Sequence, residues 1–332
     1  MKILVTGASG FIGGRFARFA LEQGFDVRVS GLRAESVEHL VRRGAEFIPG
    51  DLTDGLLVRD LCVDVDAVVH CAGAIGAWGR YQDLHRDNVL VTENVVEACL
   101  KQRVRRLVHL SSAAMYFDGR SHVGLTEEQL PKRFKHTYAA TKNMAEQKVF
   151  GAQEFGLEVI ALRPRFVTGA GDMSFFPRLL KQQRKGRLAI VGNGLNKVDF
   201  TSVHNLNEAL LSSLLATGSA LGKAYNISNG TPIPLWDVIN YVMRQMQVPQ
   251  VTRYRGYGMA YSLGALNEVA CKLWPGQPEP GLSRLGAQVM DKDFTLDISR
   301  ARHYLDYDPK VSLWTALDEF CSWWKAQENH TR

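Results

Sequence analysis

The chain has 332 residues, 45% hydrophobic and 22% charged, which is enough to bury a sizeable core in one large or two modest domains. No apolar run reaches membrane-spanning length, and the sequence opens directly on the strand-like KILVTG, so neither a spanning segment nor a secretory signal is expected. A net charge of +6 and a pI near 9.0 raise nucleic acid as a partner, but the densest basic clusters, KQRVRR (101–106) and KQQRKGR (181–187), come with no DNA- or RNA-binding motif, and a basic surface suits an anionic dinucleotide equally well.

In chain order, short apolar, β-branched runs recur: KILVTG, DVRVSG (26–31), EFIPGD (46–51), AVVHCAG (67–73), RLVHLSS (106–112) and EVIALRP (158–164). Each precedes a stretch of helical period, so the first half reads as βαβ units in a parallel sheet covered on both faces. The predicted class is α/β, a doubly wound Rossmann sheet with a smaller, interleaved C-terminal substrate lobe. Beyond Pro164 the alternation breaks into a helical run at 205–217, a strand-like AYNIS (224–228) and a helix from about Leu235. The expected division is a dinucleotide domain over 1–165 with 195–225 returning to it, and a substrate lobe from 166–194 and 226–332.

Within VTGASGFIGGRFARFALEQG, Gly7, Gly10 and Gly13 stand between a strand and a helix. The first permits a tight turn, the second lets the backbone approach a pyrophosphate, and the third packs helix on strand, while the helix N-terminus offers partial positive charge. Asp51 in GDLTD ends the third strand at the sheet edge where ligands bind; it, or Thr53, equally reads as an N-cap for the next helix. HCAGA (70–74) ends a strand in small residues that admit a cofactor close to the backbone. Five scattered cysteines without C-x-x-C spacing argue against disulfides and zinc and suit a reducing cytoplasm. The nine histidines show no metal spacing, so no metal is predicted.

Tyr138 and Lys142 lie four apart in a helix-like stretch, either a proton-transfer pair or two side chains sharing a face. TGASGFIG (6–13), DLTD (51–54), HCAGA, SSAAMY (111–116), YAATK (138–142) and RPRFVTGAGD (163–172), in this order and spacing, resemble the extended short-chain dehydrogenase/reductases of the epimerase/dehydratase superfamily. VGNGLNKVDFTSVHNLNEALL (191–211) and FTLDISRARHYLDYDPKVSL (294–313) are most similar to the branch of 3β-hydroxysteroid and sterol-4-carboxylate 3-dehydrogenases. The resemblance implies that Tyr138 is the general acid/base, that Lys142 binds the nicotinamide ribose, and that Ser112 orients the substrate oxygen, with Ser111 the fallback if the register slips by one. It implies a dinucleotide site of Gly7, Gly10, Phe11, Ile12, Gly13, Asp51, Leu52, Ala72, Gly73, Ala74, Tyr138, Lys142, Pro164 and Val167, to which the position of Arg33 after the second strand adds that residue. Physically, an ammonium one turn away and an oxidised nicotinamide both favour a phenolate. Asn88 matches an asparagine that opens the helix beneath the site; a role in helix geometry and one in a proton relay both stand.

Two departures bear on ligands. The acid that NAD sites carry after the second strand is replaced by Ser30 or Gly31, with Arg33 following, which favours NADP(H) over the NAD(H) the branch implies. Nucleotide-sugar epimerases carry asparagine where Phe166 stands and arginine where Val198 stands, and apolar replacements favour an apolar substrate. The expected activity is therefore an NAD(P)-dependent oxidoreductase acting on a secondary alcohol or ketone of a hydrophobic, steroid-like or acyl-chain molecule. The alternatives are a nucleotide-sugar 4-epimerase or dehydratase and a non-catalytic dinucleotide sensor. Peripheral membrane contact and a homodimer are compatible with the family. Met259, Leu263, Leu266, Ala270 and Leu273 recur at helical spacing and read either as a packed helix or as a partly mobile cover over the substrate pocket.

Overall fold

The computed structural model describes residues 1–76 and 78–330. Seven parallel strands form the main sheet: β1 (Lys2–Thr6), β2 (Asp26–Gly31), β3 (Glu46–Pro49), β4 (Ala67–His70), β5 (Arg106–Leu110), β6 (Glu158–Pro164) and β7 (Lys223–Ile227). Their order across the sheet is β7-β6-β5-β4-β1-β2-β3, which makes the gap between β1 and β4 the point where the winding reverses. In open α/β sheets ligands bind outside the carboxyl ends of the strands at that point.

Burial follows the two-residue period of the strands. Ile3, Val5, Val69, Val108, Ile160 and Leu162 face one core with Phe16, Leu206 and Leu210; the alternate residues Leu4, Val68, Leu107 and Val159 face a second core with Val58, Val95 and Val149. Both faces are thus apolar, which is why these strands read as near-continuous hydrophobic runs. A third core is built outside the sheet by Phe176, Val198, Phe200, Trp236, Ile239, Phe294 and Phe320. The strand Lys223–Ile227 and the Val203–Leu215 helix pack on the main sheet, while Val198 and Phe200 belong to the third core. Ile298, Ala301, Leu305 and Tyr307 join the same sheet core although the sequence grouped them with the substrate lobe.

Two local expectations are corrected. The helix Gly55–Leu61 is capped by Asp54, whose carboxylate accepts from the amides of Leu56 (3.0 Å) and Leu57 (3.3 Å), while Asp51 closes a turn by accepting from the Thr53 amide at 2.9 Å. The helix Tyr257–Leu273 forms, but its apolar stripe is not packed: Met259, Leu266 and Leu273 are 63%, 68% and 81% exposed, and the buried face consists of Ala260 and Gly264. A Cβ on Gly264 would lie 2.6 Å from the Ser283 backbone, so the small face is what lets this helix brace the segment carrying the short helix Arg284–Val289. Among the described residues no helix is long and apolar enough to cross a membrane.

Candidate active site

A cleft of about 940 Å³ opens over the carboxyl ends of the strands. Its floor is the turn after β1. Gly7 adopts φ +68°, and a Cβ there would sit 2.7 Å from the Ala72 amide nitrogen; a Cβ on Gly13 would lie 2.5 Å from the Gly7 carbonyl oxygen. The turn is therefore closed to side chains, and the Phe11–Glu22 helix begins on it with Gly10 at its N-cap and no side chain filling the cap. This is a cradle for an anionic pyrophosphate, formed by backbone alone.

Every site residue expected from the sequence except Arg33 lines the cleft: Gly7, Gly10, Phe11, Ile12, Gly13, Asp51, Leu52, Ala72, Gly73, Ala74, Ser112, Tyr138, Lys142, Pro164 and Val167. Arg33 is exposed, while Ser30, Gly31 and Leu32 supply the wall at the end of β2. Ser111 also lines the cleft, but its hydroxyl turns to the Met115 sulfur at 3.8 Å. Val198 is buried in the third core and faces no cleft wall, whereas Phe166 lines it.

Tyr138 and Lys142 lie on the Thr137–Gly151 helix, and Ser112 follows β5, where its Oγ also accepts from the Ala114 amide at 3.2 Å. Burial pushes the Tyr138 phenol up, and a hydrogen bond from Ser112 pulls it partly back. Lys142 is 5% exposed, donates to the Leu110 carbonyl at 2.7 Å, and is drawn down to about 8, mainly by burial, against the pull of Glu146 and Cys71. Burial is the largest influence at Tyr138.

Below these residues, Glu146 and Arg163 form a buried ion pair, and Arg163 also donates to the Tyr116 hydroxyl at 2.6 Å and the Glu127 carbonyl at 2.8 Å. The pair ties the Thr137–Gly151 helix to β6 and fixes where Tyr138 and Lys142 stand. A five-residue π turn at Arg86–Leu90 places Asn88 so that its Nδ2 donates to Thr141 Oγ1 at 3.1 Å, next to Lys142 in sequence. Sequence reasoning missed Arg165, Leu285 and Val289, all on the cleft wall. The signal for Arg165 was present: a cation between Pro164 and Phe166, just past a strand's carboxyl end.

A family model described as the NAD dependent epimerase/dehydratase family matches residues 3–228. The chain belongs to this family. A 2-alkyl-3-oxoalkanoate reductase of Stenotrophomonas maltophilia (strain K279a) is 38% identical over 322 residues, covering 94% of this chain and 96% of the relative. A sterol-4-alpha-carboxylate 3-dehydrogenase, decarboxylating, of Mus musculus is 31% identical over 273 residues, covering 80% of this chain and 74% of the relative. Among solved structures, UDP-glucuronic acid 4-epimerase from Bacillus cereus in complex with NAD superposes with a TM-score of 0.78 at 24% identity, covering 98% of this chain and 99% of that one, a likeness of fold. The glycine cradle and the cleft above it are what a member of the NAD dependent epimerase/dehydratase family needs for its dinucleotide.

Proposed function

We propose that the protein is an NAD(P)-dependent oxidoreductase that interconverts a secondary alcohol and a ketone on a predominantly apolar molecule, with Tyr138, Ser112 and Lys142 as its catalytic residues. The observation that carries this reading is that Tyr138, Ser112 and Lys142 line one cleft together with the glycine cradle. The bound dinucleotide supplies hydride acceptance and donation at its nicotinamide. Tyr138, kept protonated by burial, is in the right state to give its proton to a ketone oxygen, and Ser112 donates a second hydrogen bond to that oxygen. In the oxidative direction the phenol must first lose its proton, so alcohol oxidation rises with pH. Gly7, Gly10 and the helix N-terminus hold the pyrophosphate, and Lys142 meets the nicotinamide ribose.

The rest of the cleft favours an apolar substrate. Phe166 stacks on Phe175 with ring centroids 4.6 Å apart and lies 5.3 Å from Phe200, and Leu285 and Val289 face the same space from the smaller lobe. The names of the relatives, a 2-alkyl-3-oxoalkanoate reductase and a sterol-4-alpha-carboxylate 3-dehydrogenase, support an acyl or polycyclic framework over a sugar diphosphate. Of the two dinucleotides, the missing acid at Ser30–Gly31 favours NADP(H), and Arg33 is the residue that would pair with its 2′-phosphate.

The test is nicotinamide oxidation on mixing the protein and each reduced dinucleotide with a 2-alkyl-3-oxo acid, a sterol ketone or a UDP-sugar. Turnover of an apolar ketone is expected. Epimerisation of the UDP-sugar with no ketone turnover refutes the reading.

A further inference from the structure

The end of β6 and the residue just past it bury two guanidiniums two residues apart. Arg163 is saturated: the Glu146 carboxylate, the Tyr116 hydroxyl and the Glu127 carbonyl all accept from it. Arg165, 6% exposed, has no hydrogen bond from its side chain to any described residue, and its Nε and Nη2 are buried without a partner. A buried cation whose N–H donors have no acceptor is costly even with a carboxylate, Asp199, close enough to act on it through space, so such a group is retained where a ligand completes its hydrogen bonds.

The surroundings of Arg165 say which ligand. Phe166 lies 3.8 Å and Phe294 4.3 Å from the guanidinium carbon, measured to the ring centroids, so aromatic rings hold the cation without using its N–H donors. The donors that remain, Nε–H and Nη2–H, form one edge of the fork, spaced for the two oxygens of a carboxylate. Arg165 lines the cleft, and no hydrogen bond to a described residue holds its guanidinium between the rings. Asp199 acts on it through space without a hydrogen bond: the Asp199 oxygens accept from the Ser228 hydroxyl at 3.1 Å and the Leu296 amide at 2.7 Å. Phe166 itself adopts φ +38°, an uncommon conformation for a bulky residue that persists where surroundings impose it.

We propose that Arg165 is a specificity-determining residue that binds a carboxylate of the substrate, so that the molecule reduced or oxidised is an acid whose apolar body lies against Phe166, Leu285 and Val289. This rests on the oxidoreductase reading for the reaction, and not for the binding. The anionic alternative, the dinucleotide's own phosphates, has its cradle at Gly7–Gly13, whereas Arg165 stands between Phe166 and Phe294.

The test is calorimetric titration of the protein–NADP(H) complex with a 3-hydroxy fatty acid and with its methyl ester, for wild type, Arg165→Met and Arg165→Lys. Wild type is expected to bind the acid well over tenfold more tightly than the ester; Arg165→Met is expected to lose on the order of a hundredfold in acid affinity with ester affinity unchanged, and Arg165→Lys to recover part of it. Circular dichroism and an unchanged dinucleotide Kd show the variants folded. Equal binding of acid and ester by wild type, or a loss of dinucleotide affinity in Arg165→Met with the acid preference intact, overturns the proposal. Because binding is read without turnover, a protein that discriminates acid from ester yet reduces no ketone would refute the oxidoreductase reading and leave the carboxylate site standing.

Discussion

Replacing Lys142 with methionine is expected to make the ligand-free protein slightly more stable while removing its function. The folded protein holds this ammonium at about 8 instead of its ordinary 10.5. At 1.36 kcal/mol per pH decade, that difference is about 3 kcal/mol of cost for keeping the charge buried near neutral pH. Against it stands the 2.7 Å hydrogen bond to the Leu110 carbonyl; losing it leaves that carbonyl unpaired, at about 1–3 kcal/mol. Methionine keeps the unbranched stem and fills the same channel. The net expectation is a gain of about 0–2 kcal/mol near neutral pH.

The pH dependence gives the sharper test. Because the folded-state value lies below the unfolded one, wild type sheds the proton above about 8 while the unfolded chain still binds it, and wild-type stability from this group rises until the unfolded chain also deprotonates. The mutant's advantage is therefore largest below about 8 and shrinks as pH climbs towards 10.5. Urea unfolding of both dinucleotide-free proteins at about pH 7 and about pH 9.5 measures it. A mutant less stable than wild type by more than about 1 kcal/mol near neutrality, or a difference that does not move with pH, refutes the reasoning. A stabilised mutant without activity would identify Lys142 as a charge retained for function at the expense of stability.

Two further outcomes are expected. Arg33→Ala should weaken NADP(H) binding by roughly tenfold and leave NAD(H) unchanged, read as two Kd values; the companion change Gly31→Asp is unsuitable, since a Cβ at Gly31 would meet Ser9 Oγ at 2.9 Å and disturb the glycine turn. Leu285→Ala should raise KM for an apolar ketone several-fold with little change in the dinucleotide KM, whereas Leu266→Asp, on an exposed face, should leave both kinetics and folding unaffected; the reverse pattern would show that the exposed helix, and not the Arg284–Val289 segment, covers the substrate.

The sheet was legible because burial on both faces leaves a mark in composition. DVRVSG and EVIALRP coincide with β2 and β6 to the residue, and the glycine turn carries its own reason in the 2.5–2.7 Å clearances at Gly13 and Gly7. The stripe at Met259–Leu273 misled because periodicity reports which residues share a helical face and is silent on whether anything covers it; the packing decision was made by Gly264 and Ala260. The cap at Asp54 was displaced from Asp51 because GDLTD offers several oxygens within one turn, and only the chain's path selects among them. Arg165 escaped because nothing in a one-dimensional pattern distinguishes a saturated buried arginine from an unpartnered one; Arg163 and Arg165 look alike in RPRF and differ only in what surrounds them.

The central claim is that Tyr138 transfers the proton. Its most direct test is single-turnover hydride transfer in Tyr138→Phe, with dinucleotide affinity measured on the same preparation. The ring stays and only the cleft-lining hydroxyl goes, so the dinucleotide Kd should stay within about twofold and hydride transfer should slow by roughly a hundredfold to ten-thousandfold. Hydride transfer at a near-wild-type rate in this mutant would contradict the account.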